Sequence, residues 1–352
     1  MPQKLNIEAF LENSAKSIIV DVRTPKEFAS GHIPQAFNIP LFSNEERAEV
    51  GTIYKQNSKE AAIIKGLAFV GPKMADFVNE INKIAKNKEV YFYCWRGGMR
   101  SNSFAWLLET VGYKTYTLDK GYKAFRNHVL NSFEKKLNLL VIGGMTGSAK
   151  TYILYELDTK GHQIIDLEKM ASHKGSSFGS IGEHEQPTNE QFENDLFHHI
   201  DEIDSDQLCF IEDESRMIGR INQPNAFYDQ IRTANVIKLE ISKELRIGHL
   251  VKEYSNTDLS NLLEASDRLK KRLGGLKLIE IRNFLLENDF ESAASVLLDY
   301  YDKAYVYGLK QRPADRVFNL KTESINPAKN AQLILDYIPQ IPDSTKLIKT
   351  IS

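Results

Sequence analysis

The chain has 352 residues, a length that suits two domains at about 150 residues each. Its 42% hydrophobic content excludes an intrinsically disordered chain. Its 45 basic and 47 acidic residues leave a net charge of −2, which excludes a globally basic nucleic-acid binder but not a local basic patch.

In chain order, the sequence predicts strands at Ser17–Val22, Phe37–Ile39, Val90–Tyr93, Tyr113–Leu118, Leu139–Ile142, Gln163–Leu167, Leu208–Ile211 and Asn235–Leu239. Helical patterns alternate with them, so the fold class expected is α/β with parallel sheets. Two of these units share one design. The strand at Val90 runs into Cys94-Trp95-Arg96-Gly97-Gly98-Met99-Arg100-Ser101 and then a helix through Phe104, Leu107, Leu108 and Val111. The strand at Leu139 runs into Gly143-Gly144-Met145-Thr146-Gly147-Ser148-Ala149-Lys150-Thr151 and then a helix through Ile153, Leu154 and Leu157. The charged stretch from Phe125 to Lys136 separates them, which puts the domains at 1–134 and 135–352. Beyond Ser242 the pattern is largely helical. Two cysteines, Cys94 and Cys209, are too few for a disulfide framework and too far apart for a metal knuckle. With no apolar run of signal-peptide or membrane-spanning length, a cytoplasmic protein without membrane attachment is expected.

Cys94 stands where a strand gives way to a helix. Glycines that let backbone amides turn inward, the helix N-terminus, and Arg96 and Arg100 all favour a thiolate, so Cys94 is a candidate nucleophile. Upstream, Ile18-Ile19-Val20-Asp21-Val22-Arg23-Thr24-Pro25 and Gly31-His32-Ile33-Pro34-Gln35-Ala36-Phe37-Asn38-Ile39-Pro40 resemble the opening of a rhodanese domain, with Gln35 where that family usually has Gly. Five residues separate Cys94 from Arg100, one more than in the ordinary rhodanese loop and the spacing of C-x5-R phosphatases. The first domain alone therefore leaves chalcogen transfer and phosphate-ester hydrolysis both open. Asp21 and Arg23 read as structural residues at a strand end.

The second loop matches the P-loop pattern, except that Ala149 replaces the second Gly. Gly144, Thr146, Gly147, Ser148, Ala149, Lys150 and Thr151 are the candidate phosphate-binding residues, with Lys150 neutralising an oxyanion and Thr151 offering a hydroxyl to Mg²⁺. Leu208–Ile211 leads into Glu212-Asp213-Glu214, a Walker-B-like strand end at which Asp213 or Glu212 could hold a metal-bound water. Cys209 reads as core. His173, Lys174 and Ser176 fall in a Gly- and Ser-rich stretch that reads as a mobile loop, either a plain surface turn or a lid over a phosphate-bearing ligand; Arg216 follows the acidic strand end. Arg268, Lys270, Lys271 and Arg272 form a basic segment suited to a polyanion, with a solvated helix face as the alternative. The tyrosines at 300, 301, 305 and 307 fit core packing better than a base-stacking platform.

The fusion of the two motifs narrows the field. With Gly121-Tyr122-Lys123-Ala124-Phe125-Arg126, His173-Lys174-Gly175-Ser176, Glu212-Asp213-Glu214-Ser215-Arg216, Lys271-Arg272-Leu273-Gly274-Gly275 and Tyr300-Tyr301-Asp302, the chain resembles the tRNA 2-selenouridine synthase family; Lys120 stands where a Gly commonly precedes Gly121. The resemblance implies a rhodanese-like domain fused to a P-loop NTPase-like domain with a helical C-terminal region. It implies conversion of wobble 2-thiouridine in tRNA to 2-selenouridine through an S-geranylated intermediate, with geranyl diphosphate and selenophosphate as co-substrates and no tightly bound cofactor. A selenophosphate-supplying enzyme is an expected partner; oligomeric state is left open. The competing readings are a sulfurtransferase or C-x5-R phosphatase with a P-loop regulator, and a kinase-like enzyme with a rhodanese docking module.

Overall fold

The computed structural model describes residues 2–254 and 256–342; the last ten residues of the expected second domain lie outside them. The chain divides into two compact units. Residues up to Ser132 together with Glu193–His198 make one, and the remainder, from Phe133, makes the other.

The first unit is built on β1 (Gln3–Leu5), β2 (Ile18–Asp21), β3 (Phe37–Asn38), β4 (Glu89–Tyr93) and β5 (Lys114–Leu118). They form one sheet in the order β1-β5-β4-β2-β3, and every pairing is parallel. The central strands are buried throughout Val90–Tyr93 and Thr115–Leu118, as continuous apolar runs require when helices cover both faces.

The second unit carries β6 (Leu139–Gly144), β7 (Gln163–Ile165), β8 (Cys209–Glu212), a small antiparallel pair β9 (Met217–Ile218) and β10 (Ile221–Asn222), then β11 (Asn235–Glu240) and β12 (Val317–Lys321). Its main sheet runs β12-β11-β6-β8-β7, again wholly parallel. The strand that enters first, β6, is central, and later strands are laid down on either side of it. That reversal opens a crevice at the carboxyl end of β6, where α/β sheets hold ligands. Cys209 is fully buried within β8 and burial pushes its thiol up, so it is core.

Four elements depart from the sequence expectations, each for a local reason. The charged stretch around residue 125 is not an open connection. The helix Gly121–Ser132 occupies it, burying Tyr122, Phe125 and Val129 at helical spacing while its charges face outward. The strand from Gln163 stops at Ile165 because Asp166 caps a new helix, Leu167–Ala171, its side chain accepting from the Lys169 amide. Edge strands β1 and β12 were not foreseen; each buries one residue, Leu5 and Leu320, so neither carries an alternating apolar signal.

Candidate functional site

In the first unit Cys94 follows β4 directly, and the helix Met99–Thr110 begins five residues later. Its side chain is buried, and Sγ accepts from the Gly98 amide and the Ser101 hydroxyl, both at 3.3 Å. These donors are aimed at the atom that would carry negative charge. The loop is seated by Gly121. A Cβ there would lie 2.1 Å from the Cys94 carbonyl oxygen and 2.4 Å from the Gly97 amide nitrogen, so only glycine lets the two backbones meet. The Tyr122 amide then donates to the Cys94 carbonyl at 2.8 Å, and the Lys123 amide to the Trp95 carbonyl at 3.1 Å.

The two arginines do not behave as expected. Arg100 turns to Glu27 and donates to both carboxylate oxygens, at 2.8 and 3.2 Å. Burial pulls the Glu27 carboxyl up, but the Arg100 bonds outweigh it and hold the carboxyl below its usual range. Arg96 stands in solvent. Donors to the sulfur therefore come from Gly98 and Ser101 instead of guanidinium groups. Asp21 and Arg23 are structural: Arg23 is fully buried, paired to Asp21 at 2.6 Å and donating to the Gly31 carbonyl at 2.6 Å.

In the second unit the P-loop joins β6 to the helix Lys150–Thr159. Lys150 Nζ reaches back to the Gly144 carbonyl at 3.3 Å, closing over the loop, and Ser148 Oγ donates to the Met145 carbonyl. Thr151 Oγ1 donates to Glu168 at 2.7 Å and meets Glu212 at 3.4 Å. Glu212 in turn accepts from the Glu168 amide at 2.8 Å. With Glu214 these make three carboxyls, Glu212 and Glu214 buried and Glu168 half-buried, around one threonine and one lysine. Burial and mutual repulsion raise all three; Glu214 is pushed up to about 8, and Glu212 well above its usual range, while Lys150 works in the opposite sense on Glu168 and Glu214.

Asp213 plays a different part from the one expected. It pairs with the buried Arg312 at 2.5 Å and accepts from Tyr305 Oη at 3.2 Å, so its charge is already compensated. Tyr305 Oη also accepts from the Gly144 amide at 2.9 Å, which ties the helix Phe290–Leu309 to the phosphate loop. The stretch from His173 to Ser180 makes several contacts with the helices around it. Lys174 bonds Glu253 at 2.9 Å, the Ser177 amide donates to Tyr301 Oη at 3.1 Å, the Ser176 hydroxyl accepts from the Phe178 amide, and Phe178 is buried. His173 is buried beneath this stretch, which lowers its pKa.

A cavity of about 700 Å³ opens from this loop. Its lining combines polar groups, among them Thr146, Lys150, Thr151, Lys174, Glu168 and Glu214, with an apolar wall of Leu262, Leu285, Phe290, Leu297 and Tyr301 from the C-terminal helices. Of the expected second-site residues, Gly144, Thr146 to Thr151, Lys174, Ser176 and Asp213 line it, whereas His173 and Arg216 do not. Arg216 is exposed and bonds the Asn225 side chain. In the basic segment Arg272 reaches the cavity, Lys270 and Lys271 are exposed, and Arg268 is taken by Glu264 at 2.9 Å and Ser180 at 3.0 Å. Glu168, Tyr301, Tyr305 and the apolar wall went unforeseen; the tyrosine spacing was the available signal, but it pointed to core. Among the described residues no helix is long and apolar enough to cross a membrane.

Known proteins bear on this arrangement. Residues 7–128 match the rhodanese-like domain family, and residues 137–333 match the family described as the tRNA 2-selenouridine synthase AAA domain. The chain is 34% identical over 348 residues to the tRNA 2-selenouridine synthase of Bdellovibrio bacteriovorus, covering 85% of this chain and 91% of that one. It is 33% identical over 330 residues to the enzyme of that name from Shewanella denitrificans, with 84% and 89% covered, and 33% identical over 341 residues to that from Psychromonas ingrahamii, with 86% and 90% covered. With both domains matched and identity above 30% across most of its length, the chain belongs to the tRNA 2-selenouridine synthase family.

Proposed function

We propose that the chain is a tRNA-modifying transferase that replaces the sulfur of wobble 2-thiouridine by selenium, and that it divides the work between its two units. The second unit binds geranyl diphosphate and S-alkylates the thiouridine. The first receives selenophosphate and exchanges the geranylthio group for selenium.

One observation carries this reading: a single cavity lined both by the oxyanion loop and by an apolar wall from the C-terminal helices. A nucleoside triphosphate would bring a polar base and ribose to that wall; a prenyl diphosphate brings a hydrocarbon chain. The loop amides and Lys150 hold the diphosphate. As the thiouridine sulfur bonds to C1 of the geranyl chain and the C1–O bond breaks, the charge that develops on the departing diphosphate meets donors already in place. Alkylation also makes sulfur a better leaving group for the second step. There, selenium of selenophosphate bonds to C2 of the base, geranylthiol departs, and water takes the phosphoryl group.

At Cys94 the Gly98 and Ser101 donors support a chalcogen held at or near the sulfur. The engagement of Arg100 by Glu27 weighs against phosphatase chemistry, in which that arginine would grip the ester. Mg²⁺ suits the second site. Thr151, the half-buried Glu168 and the buried Glu212 form a hard-oxygen cluster whose repulsion a divalent cation would relieve. No group of three or more His, Cys, Asp or Glu among the described residues is placed to hold a metal, so diphosphate oxygens and water would complete the shell. Exposed Lys270 and Lys271 are the residues of the basic segment best placed to meet tRNA, and a selenophosphate-producing enzyme is the natural donor partner.

The test is a reaction of the full chain with an anticodon stem-loop bearing 2-thiouridine, geranyl diphosphate and selenophosphate, followed by mass spectrometry of the nucleosides. S-geranyl-2-thiouridine and 2-selenouridine are expected. Their absence, with release of phosphate from ATP or from a phosphate ester, would overturn the reading.

A further inference from the structure

Arg23, buried and neutralised by Asp21, lies among three aromatic rings: its guanidinium carbon is 3.7 Å from the centroid of Tyr122, 5.5 Å from Tyr93 and 5.9 Å from Trp95. Tyr122 in turn packs on Trp95, with centroids 5.8 Å apart and planes tilted by 42°. Tyr93 and Tyr122 are fully buried, whereas Trp95 is 38% exposed. The result is a cluster of one cation and three rings, whose solvent-open member is the indole one residue from Cys94.

That indole is also fixed at its backbone by the bond from the Lys123 amide to the Trp95 carbonyl. The other tryptophan, Trp106, is more exposed and lies mid-helix. The residue after Trp95, Arg96, presents a second exposed side chain and carries a cation. A fixed, half-open aromatic face with a cation beside it is the arrangement proteins use to hold an unpaired nucleobase and its phosphate. Leaving an indole half in water while supporting it from below has no packing benefit of its own.

We propose that Trp95 is the stacking platform for the wobble base at the Cys94 site, with Arg96 taking the adjacent phosphate. The proposal rests on the selenium-exchange reading of that site and adds the element that presents C2 of the base to the donor. Stacking tolerates any base, so discrimination between thiolated and geranylated nucleosides falls to the loop around Cys94, while Trp95 sets affinity.

The direct test uses the full chain carrying Trp106→Phe, which leaves Trp95 as the sole tryptophan. Titration with an anticodon stem-loop bearing S-geranyl-2-thiouridine should quench its fluorescence, and the same stem-loop with an abasic wobble position should not. In steady state Trp95→Ala should raise KM for selenation of the geranylated stem-loop about tenfold. Trp95→Phe should recover most of that loss, and geranylation by both variants should stay within about twofold of wild type. Equal quenching by the abasic stem-loop, an unchanged KM in Trp95→Ala, or equal loss of geranylation in that variant would each overturn the platform. The fluorescence readout needs no turnover. Base-dependent quenching without any selenated product would therefore overturn the proposed activity and leave the platform standing.

Discussion

The Cys94 loop and the P-loop are the same backbone device filled with opposite chemistry. Each leaves the carboxyl end of a parallel strand, passes through left-handed backbone at Gly97 or at Gly147 and Ala149, and turns into a helix. In the first unit the carboxylates Glu27 and Asp21 are each matched by an arginine, and Arg100 holds Glu27 in its charged form. Around Thr151 three carboxyls, two buried and Glu168 half-buried, share a single lysine and are pushed toward their neutral forms. The first site is electrostatically closed and offers neutral donors to one sulfur atom. The second gathers carboxyls whose charged forms a divalent cation would stabilise. On the proposed reading the backbone device is an anion cradle in both, and the surrounding carboxylates set which anion it serves.

This contrast can be broken at several points, beginning with the largest effect. Lys150→Ala should slow geranylation by about 10²- to 10³-fold, read as initial rate of S-geranyl nucleoside formation, while selenation of a pre-geranylated stem-loop persists. Equal loss of both rates would show that the sites are not independent. Charge reversal at Lys270 and Lys271 should weaken stem-loop or tRNA binding severalfold and reduce the slope of log affinity against log salt by about one for each phosphate that is no longer neutralised. An unchanged slope would remove this segment from the interface.

The two carboxyl environments should also respond oppositely to pH. Glu214 has a folded pKa raised from 4.5 to about 8, so its share of stability is complete below about pH 4.5 and is lost as pH climbs through 8. Glu27 has a lowered folded pKa, so its share is present above 4.5 and is lost as pH falls through the folded value. In thermal melts from pH 4 to 9, Glu214→Gln should flatten the alkaline decline and Glu27→Gln the acid one. Crossed behaviour would contradict the assignment of charge states.

The smallest effect concerns the three departures from family pattern. Gln35, Lys120 and Ala149, each standing where glycine is usual, all have left-handed backbone, with φ of 65°, 57° and 57°. Side chains at such positions cost energy that the family's glycine avoids, so each change to Gly should raise stability by about 1 kcal/mol or less, measured by denaturant unfolding. A loss on substitution would mean that the side chain makes compensating interactions.

These three residues also show what the sequence could convey. The pattern marked them as departures, but only φ explains why glycine belongs there. Central strands and both loops were legible because burial on two faces leaves continuous apolar runs, and glycine-rich turns punctuate them. The edge strands β1 and β12 were not, since each buries a single residue and lacks an alternating apolar signal. Nor was the cavity: Thr151, Glu168, Glu214, Leu262 and Tyr305 come from distant parts of the chain, and no spacing rule links them. Asp213 was misplaced for the same reason, its partner Arg312 lying 99 residues away.

The central claim is that one chain runs two separable reactions, and Cys94→Ala tests it most directly. With 2-thiouridine stem-loop, geranyl diphosphate and selenophosphate together, mass spectrometry should find S-geranyl-2-thiouridine accumulating at the wild-type geranylation rate and no 2-selenouridine. Loss of both nucleosides from a folded Cys94→Ala protein, or undiminished 2-selenouridine, would contradict the account.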